Sequence, residues 1–152
     1  MKKIILSVLV MIIVNSLHAQ SLIGRWQEQH PEVSAGYLNT YQFMKDSTFL
    51  FSLSEYFGLK RIVSMGGKYK YNKKTGTLSL VVEFTNEIVG GTIERSDEAD
   101  EATDRWGLTG GQLKKIKLPK PVKATIKLEF TKSDKDDSEL ILLDKQKYYK
   151  VE

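Results

Sequence analysis

From Val122 to Thr131 the chain alternates without interruption. Val122, Ala124, Ile126, Leu128 and Phe130 fall on one side of an extended backbone; Lys123, Thr125, Lys127, Glu129 and Thr131 fall on the other. A helix would scatter these apolar residues around its circumference, whereas a strand gathers them on one buried face and leaves the other wet. The rhythm recurs in 77–84, where Leu78, Leu80, Val82 and Phe84 alternate with Thr77, Ser79 and Glu83. It recurs again in 48–56, where Phe49, Phe51 and Leu53 alternate with Thr48, Ser52 and Ser54. Antiparallel sheets tolerate a wet face and parallel sheets rarely do, so the fold expected is all-β and antiparallel.

Weaker strand patterns occupy 22–28, 37–44, 59–65, 68–71, 113–118, 139–143 and 147–151. The links between them carry turn chemistry: Lys45-Asp46-Ser47, then Asn72-Lys73-Lys74-Thr75-Gly76, then the polar stretch 132–138. Short links make sequential strands neighbours, which gives a meander. So many short strands must dispose of their edges, and closing the sheet into a barrel of about 8–10 strands does so. Such a barrel is either packed solid or holds one small ligand. One stretch departs from the rhythm: 94–111 is acidic and nearly free of apolar residues between 94 and 105, with Gly90-Gly91 before it and Gly110-Gly111 near its end. It reads as a surface helix or loop, an excursion within one domain spanning 20–152.

Residues 1–19 read as a cleaved signal peptide. Lys2 and Lys3 form a positive start, an apolar core runs from Ile4 to Val14, and small or polar residues lead to a cleavage site after Ala19. The core is shorter than the about 20 residues a membrane span needs, so no transmembrane segment is expected after cleavage. The chain has 0 cysteines, which rules out lipidation, disulfides, thiolate metal sites and a cysteine nucleophile. The expected location is therefore periplasmic or secreted. The formal charge is +4; without residues 1–19, Lys and Arg fall from 23 to 21 against 19 acids, leaving +2. This near balance gives no reason to expect a nucleic-acid partner.

Leu22-Ile23-Gly24-Arg25-Trp26 places a G-x-W on the first strand after the leader. Tyr41-Gln42-Phe43-Met44-Lys45-Asp46-Ser47-Thr48-Phe49 follows, then Gly67-Lys68-Tyr69 with Thr77-Leu78-Ser79-Leu80, and a closing pair from Leu140 to Tyr149. In this order the set resembles small bacterial lipocalin-like (calycin) domains, with their F-x-x-D-G-T-F and G-x-Y … L-x-L hairpins. The resemblance implies an up-and-down barrel and a small-molecule-binding role. Ser47 stands where the turn glycine is usual, and the Thr-Asp-Tyr motif of larger lipocalins has no match. Their C-terminal arginine, which covers the tryptophan, is also absent; Lys145, Lys147 and Lys150 are the candidates to stand in, without arginine's planar stacking group. Independently of the resemblance, Gly24 lets the backbone pass close to a large ring, and Trp26 is expected to plug one end of the barrel.

The aromatic residues Tyr41, Phe43, Phe49, Phe51, Tyr69 and Tyr71, with Tyr37, sit at alternating positions on adjacent strands. They read as a ring-lined pocket for a small hydrophobic or amphipathic ligand, or as a filled core. The acids Asp97, Glu98, Asp100, Glu101 and Asp104 lack an EF-hand spacing and read as a solvated loop rather than a calcium site. Lys114, Lys115, Lys117, Lys120 and Lys123 flank Pro119 and Pro121; they read as a charged edge strand rather than a surface for polyanions. After the leader only His30 remains for a triad, no nucleophile motif is present, and no metal site or cofactor is expected. Paired carboxylates drawn from Glu55, Glu83 or Glu87 are the one route left to hydrolysis. The leading expectation is thus a non-enzymatic exported binding protein. Behind it stand a protein-interaction or inhibitor module with a filled core, and then a small hydrolase or isomerase.

Overall fold

A computed structural model describes residues 21–29, 38–54, 59–95 and 106–151. The leader, His30, Tyr37, Glu55 and the acidic run lie outside the described residues. Ten strands form: β1 (Gly24–Glu28), β2 (Thr40–Phe43), β3 (Thr48–Ser52), β4 (Ile62–Asn72), β5 (Thr77–Val89), β6 (Thr92–Arg95), β7 (Trp106–Thr109), β8 (Gln112–Lys132), β9 (Glu139–Leu143) and β10 (Gln146–Lys150). There is no helix among the described residues, so no helix there is long and apolar enough to cross a membrane.

Eight of the strands make one antiparallel meander in the order β1-β10-β9-β8-β5-β4-β3-β2, and β1 pairs with both β10 and β2, closing the sheet into a ring. Strand direction sorts the connections. The β2–β3, β4–β5 and β8–β9 links lie at one end, the turn end. The β9–β10 turn lies at the other, the arm end, where β5 and β8 run on past the ring. Residues directly opposite in a ladder share a face. The pairs Trp26↔Tyr41, Tyr41↔Phe51, Phe43↔Phe49, Tyr69↔Leu80, Leu78↔Ile126 and Phe130↔Ile141 therefore mark the inward face. That face carries the core, in which Trp26, Phe43, Phe49, Leu78, Leu128 and Ile141 are almost completely buried.

Trp26 is buried in the core. It is 1% exposed, its Nε1 donates to the Leu22 carbonyl at 2.8 Å, and its ring meets Phe130 edge-on at 6.3 Å. Of the three candidate lysines it is Lys150 whose ammonium stands over the tryptophan, 5.8 Å from the ring centre. Lys150 pairs with Trp26 across β1 and β10, which places both side chains on one face.

Two pairs of segments read separately in the sequence are single strands. Residues 59–65 and 68–71 merge into β4, and 113–118 and 122–131 merge into β8, which runs through Pro119 and Pro121. The prolines are tolerated because the β5–β8 ladder is broken there: Val82 pairs with Val122 and Phe84 with Lys117, so residues 118–121 oppose only Glu83. Proline lacks an amide donor, and an irregular stretch needs none. On its other side β8 pairs with β9 only through Leu128–Lys132. Beyond Lys127, whose backbone bonds to Asp144, residues 112–126 thus form an edge with no second strand among the described residues, and the five lysines of the basic run are exposed along it.

Beyond the ring, Phe84 to Val89 of β5 pair with Gln112 to Lys117 of β8 as a projecting arm. The β6–β7 hairpin continues the arm, and it occupies both ends of the excursion expected to be helix or loop. Gly90, Gly91, Gly110 and Gly111 separate the two ladders, with φ of 79°, 79°, 72° and 85°. Only glycine enters that region freely, so the doublets let both chains turn at the same level.

Ser47, where the resembling family has glycine, has a φ of 65°. The turn is held regardless: Ser47 N–H donates to Met44 at 3.2 Å, and the Asp46 carboxylate accepts from the backbone and hydroxyl of Thr48 at 3.0 and 2.6 Å. Those two bonds hold the Asp46 carboxyl below its usual pKa. An L-residue in the left-handed region costs roughly 1–2 kcal/mol, partly offset by glycine's greater entropy loss, so Ser47→Gly is expected to gain about 0.5–1 kcal/mol. A urea midpoint that stays level or falls would contradict this.

Candidate ligand-binding site

All six aromatic residues singled out in the sequence face inward; five of them form one contact chain, and Tyr71 joins the core through Phe130. Phe43 lies 6.5 Å from Phe49 and 5.0 Å from Tyr69, Tyr41 stacks on Phe43 at 5.6 Å and meets Phe51 at 4.4 Å, and Tyr71 meets Phe130 at 5.8 Å. Their surroundings differ. Phe43 and Phe49 are sealed in the core, and Tyr71 packs toward the turn end. The Tyr69 hydroxyl donates to the Met44 carbonyl at 3.0 Å, tying β4 to the β2–β3 turn. Burial, with the nearby Asp46 charge, raises its phenol pKa. Tyr41 and Phe51 are half-buried and lie toward the arm end.

The inward face is covered unevenly. At the turn end it is closed: Leu78 is 0% and Leu128 1% exposed. Toward the arm end the same face of β8 opens up, with Ile126 half-buried, Ala124 exposed and Val122 57% exposed. Across the ladder, Val82 of β5 is half-buried as well. The cause is the strand geometry: β9 stops at Leu143, opposite Leu128, so the wall above it has no neighbour on that side. The result is an apolar inner wall above a floor of aromatic rings.

Polar groups gather at this end. Glu28 closes β1 and pairs with Tyr148, so its carboxylate shares the inward face. It accepts from Asn39 Nδ2 at 2.6 Å and from Gln146 Nε2 at 2.9 Å. Asn39 in turn takes the Ser54 backbone N–H at 2.7 Å, so one side chain binds the ends of β1 and β3. The Tyr148 ring meets Tyr41 at 5.3 Å. Burial, and then the neighbouring Tyr41 and Glu28, push the Tyr148 phenol well above its ordinary pKa. Burial and the Asp144 carboxylate raise Tyr41. Both phenols are therefore neutral hydrogen-bonding groups across the physiological range.

Sequence reasoning missed Glu28, Asn39 and Tyr148. All three fell within expected strands, but nothing local marked them as one cluster, since Glu28 and Gln146 are 118 positions apart. Of the carboxylates considered for hydrolysis, Glu55 lies outside the described residues, and Glu83 and Glu87 do not converge. Glu83 lines an outer groove with Phe84 and Lys115, whereas Glu87 accepts from Thr85 at 2.6 Å on the inward face. Among the described residues no three His, Asp or Glu side chains come together as a metal site would require. No known protein family, curated protein or solved structure gives a match to this chain.

Proposed function

We propose that this chain is an exported, lipocalin-like protein that binds a small hydrophobic or amphipathic molecule at the arm end of its barrel, without chemistry. The observation that carries the reading is the half-open interior: Val122, Ala124, Ile126 and Val82 form an uncovered apolar wall above rings that are packed beneath it. Tyr41 and Phe51 meet the ligand in this reading, while Phe43, Phe49, Tyr69 and Tyr71 hold the floor. Binding is driven by desolvation at about 25 cal/mol per Å², so a ligand burying about 200 Å² of apolar surface gains about 5 kcal/mol before ordering costs. The Trp26 plug, its covering Lys150 and the leader-like start fit a periplasmic or secreted lipocalin-like domain.

An environment-sensitive apolar fluorophore is expected to bind the purified protein and to shift its emission to the blue. Val122→Arg puts a charge on the open wall without disturbing the core. It is expected to weaken the fluorophore at least about tenfold, equivalent to about 1.4 kcal/mol. No binding to the native protein, or undiminished binding to the variant, would overturn the reading.

One observation favours a second reading as a protein-interaction module. The arm exposes Ile93 at 59%, Trp106 at 50% and Leu113 at 65%, more apolar surface than a solvated hairpin needs. If the fluorophore fails and a host protein depends on Trp106 for capture, this second reading takes precedence.

A further inference from the structure

The Glu28 carboxylate faces the interior, half-buried, across the ladder from Tyr148, whose ring meets Tyr41, which in turn meets Phe51. Among the described residues its hydrogen-bond partners are two neutral amides, Asn39 and Gln146, and no cation is paired with it. A carboxylate withdrawn from water normally acquires a cationic partner, because two amide bonds satisfy its lone pairs but leave its charge uncompensated. The rings beside it also lack a cation. Elsewhere the protein places Lys150 over Trp26 and Lys115 over Phe84, yet among the described residues no ammonium stands over Tyr41, Phe51 or Tyr148. Two lysines are near: Lys114 shares the inward side but stands opposite Glu87, farther out along the arm, and half-buried Lys60, at the same end, directs its ammonium to the Ser54 carbonyl.

We infer that the arm-end mouth recognises a cationic amphiphile: an alkyl or aryl body against the Val82–Ile126 wall, with an ammonium head paired with the Glu28 carboxylate at the edge of the Tyr41, Phe51 and Tyr148 patch. The inference rests on the ligand-binding reading above and adds the charge of the ligand to it. Aromatic faces attract a cation through their negative quadrupole, most strongly where water is displaced. Tyr41 meets Phe51 at 4.4 Å and Tyr148 edge-on at 5.3 Å, so the three rings form one aromatic patch. Asn39 and Gln146 fix the carboxylate before a ligand arrives, which reduces the ordering cost of binding. A second carboxylate, Asp144, acts electrostatically on Tyr41 and adds to the negative potential at this end.

The test compares three ligands of equal chain length below their micelle concentrations: decyltrimethylammonium, decyl maltoside and decyl sulfate. Titration calorimetry with the native protein is expected to rank the cation first, about thirtyfold over the neutral compound, with the anion weakest. Glu28→Gln keeps the side chain's shape and removes the charge; its one oxygen accepts from Asn39, and its NH2 donates to Gln146 once that amide turns its oxygen inward. The variant is expected to abolish the preference for the cation, so that decyltrimethylammonium and decyl maltoside bind alike. Equal affinity for the cation and the neutral compound in the native protein overturns the inference but leaves the ligand-binding reading standing. Failure of all three to bind overturns both. The ranking in the native protein needs no variant, so it decides the matter even if Glu28→Gln folds poorly.

Discussion

Trp26→Ala is expected to cost about 3–5 kcal/mol, the range for removing a large aromatic side chain from a packed interior. Domains of this size are stable by only about 5–15 kcal/mol, so the variant should lose a large part of its stability and unfold at a much lower urea concentration. Three losses coincide. The ring is 1% exposed, so its whole apolar surface returns as a cavity beside Phe130. Its Nε1 bond to the Leu22 carbonyl disappears, leaving that acceptor to find water. Lys150 keeps its exposed ion pair with Glu139 but loses the ring beneath it. Trp106→Ala is the matched control: the chain has 2 tryptophans, Trp106 is 50% exposed on the arm, and its loss should cost under about 0.5 kcal/mol. The same variant leaves Trp26 as the sole indole, so unfolding can be followed from blue emission to red. If Trp26→Ala unfolds at the midpoint of the native protein, Trp26 does not plug the ring.

How much of this was legible in the sequence depended on the range over which the signal acts. The alternation of Leu78, Leu80 and Val82, and of Ile126, Leu128 and Phe130, is a local consequence of strand geometry, and those residues line the interior. β9 occupies the expected residues 139–143, bounded by a polar loop and a tight turn. The alternation of Phe43, Phe49 and Phe51 likewise placed the rings, but it could not separate a floor from a wall. That distinction depends on β9 ending at Leu143, a fact about a neighbouring strand rather than about the rings themselves. The strand pair at the ends of the excursion was missed because Thr92–Arg95 and Trp106–Thr109 are too short and too polar to show a period, and their pairing is dictated by the glycine doublets and the ladder below. Prolines in β8 suggested a break where the strand passes through an irregularity, because the opposing Glu83 leaves no ladder bond to lose. The Glu28, Asn39 and Gln146 cluster depends on ring closure, which joins the first strand to the last, and no window of sequence contains it.

Gly67→Ala should be comparably damaging for a different reason, since it adds one carbon where two backbones already touch. A Cβ at Gly67 would lie 2.0 Å from the Val81 carbonyl oxygen and 2.9 Å from the Glu83 amide nitrogen, both of them main-chain atoms that cannot rotate away. The crowding arises where the β4–β5 register shifts between Gly66 and Gly67 and β5 bulges at Glu83. Relief requires β5 to move. That strand is held on its other side by β8 over twelve residue pairs, so movement loosens the arm and the ring together. Overpacking commonly costs about 1–3 kcal/mol, and a main-chain collision this close belongs at or beyond the top of that range. Gly107→Ala supplies the contrast: nothing lies within 4 Å of its added carbon, so only unfolded-state entropy changes, and a neutral to slightly stabilising result is expected. Urea unfolding of the pair checks the claim directly. A midpoint for Gly67→Ala within error of that for Gly107→Ala would mean that β4 and β5 do not approach as closely as described. The inner wall at Val82, which takes its direction from that bulge, would then need to be placed anew.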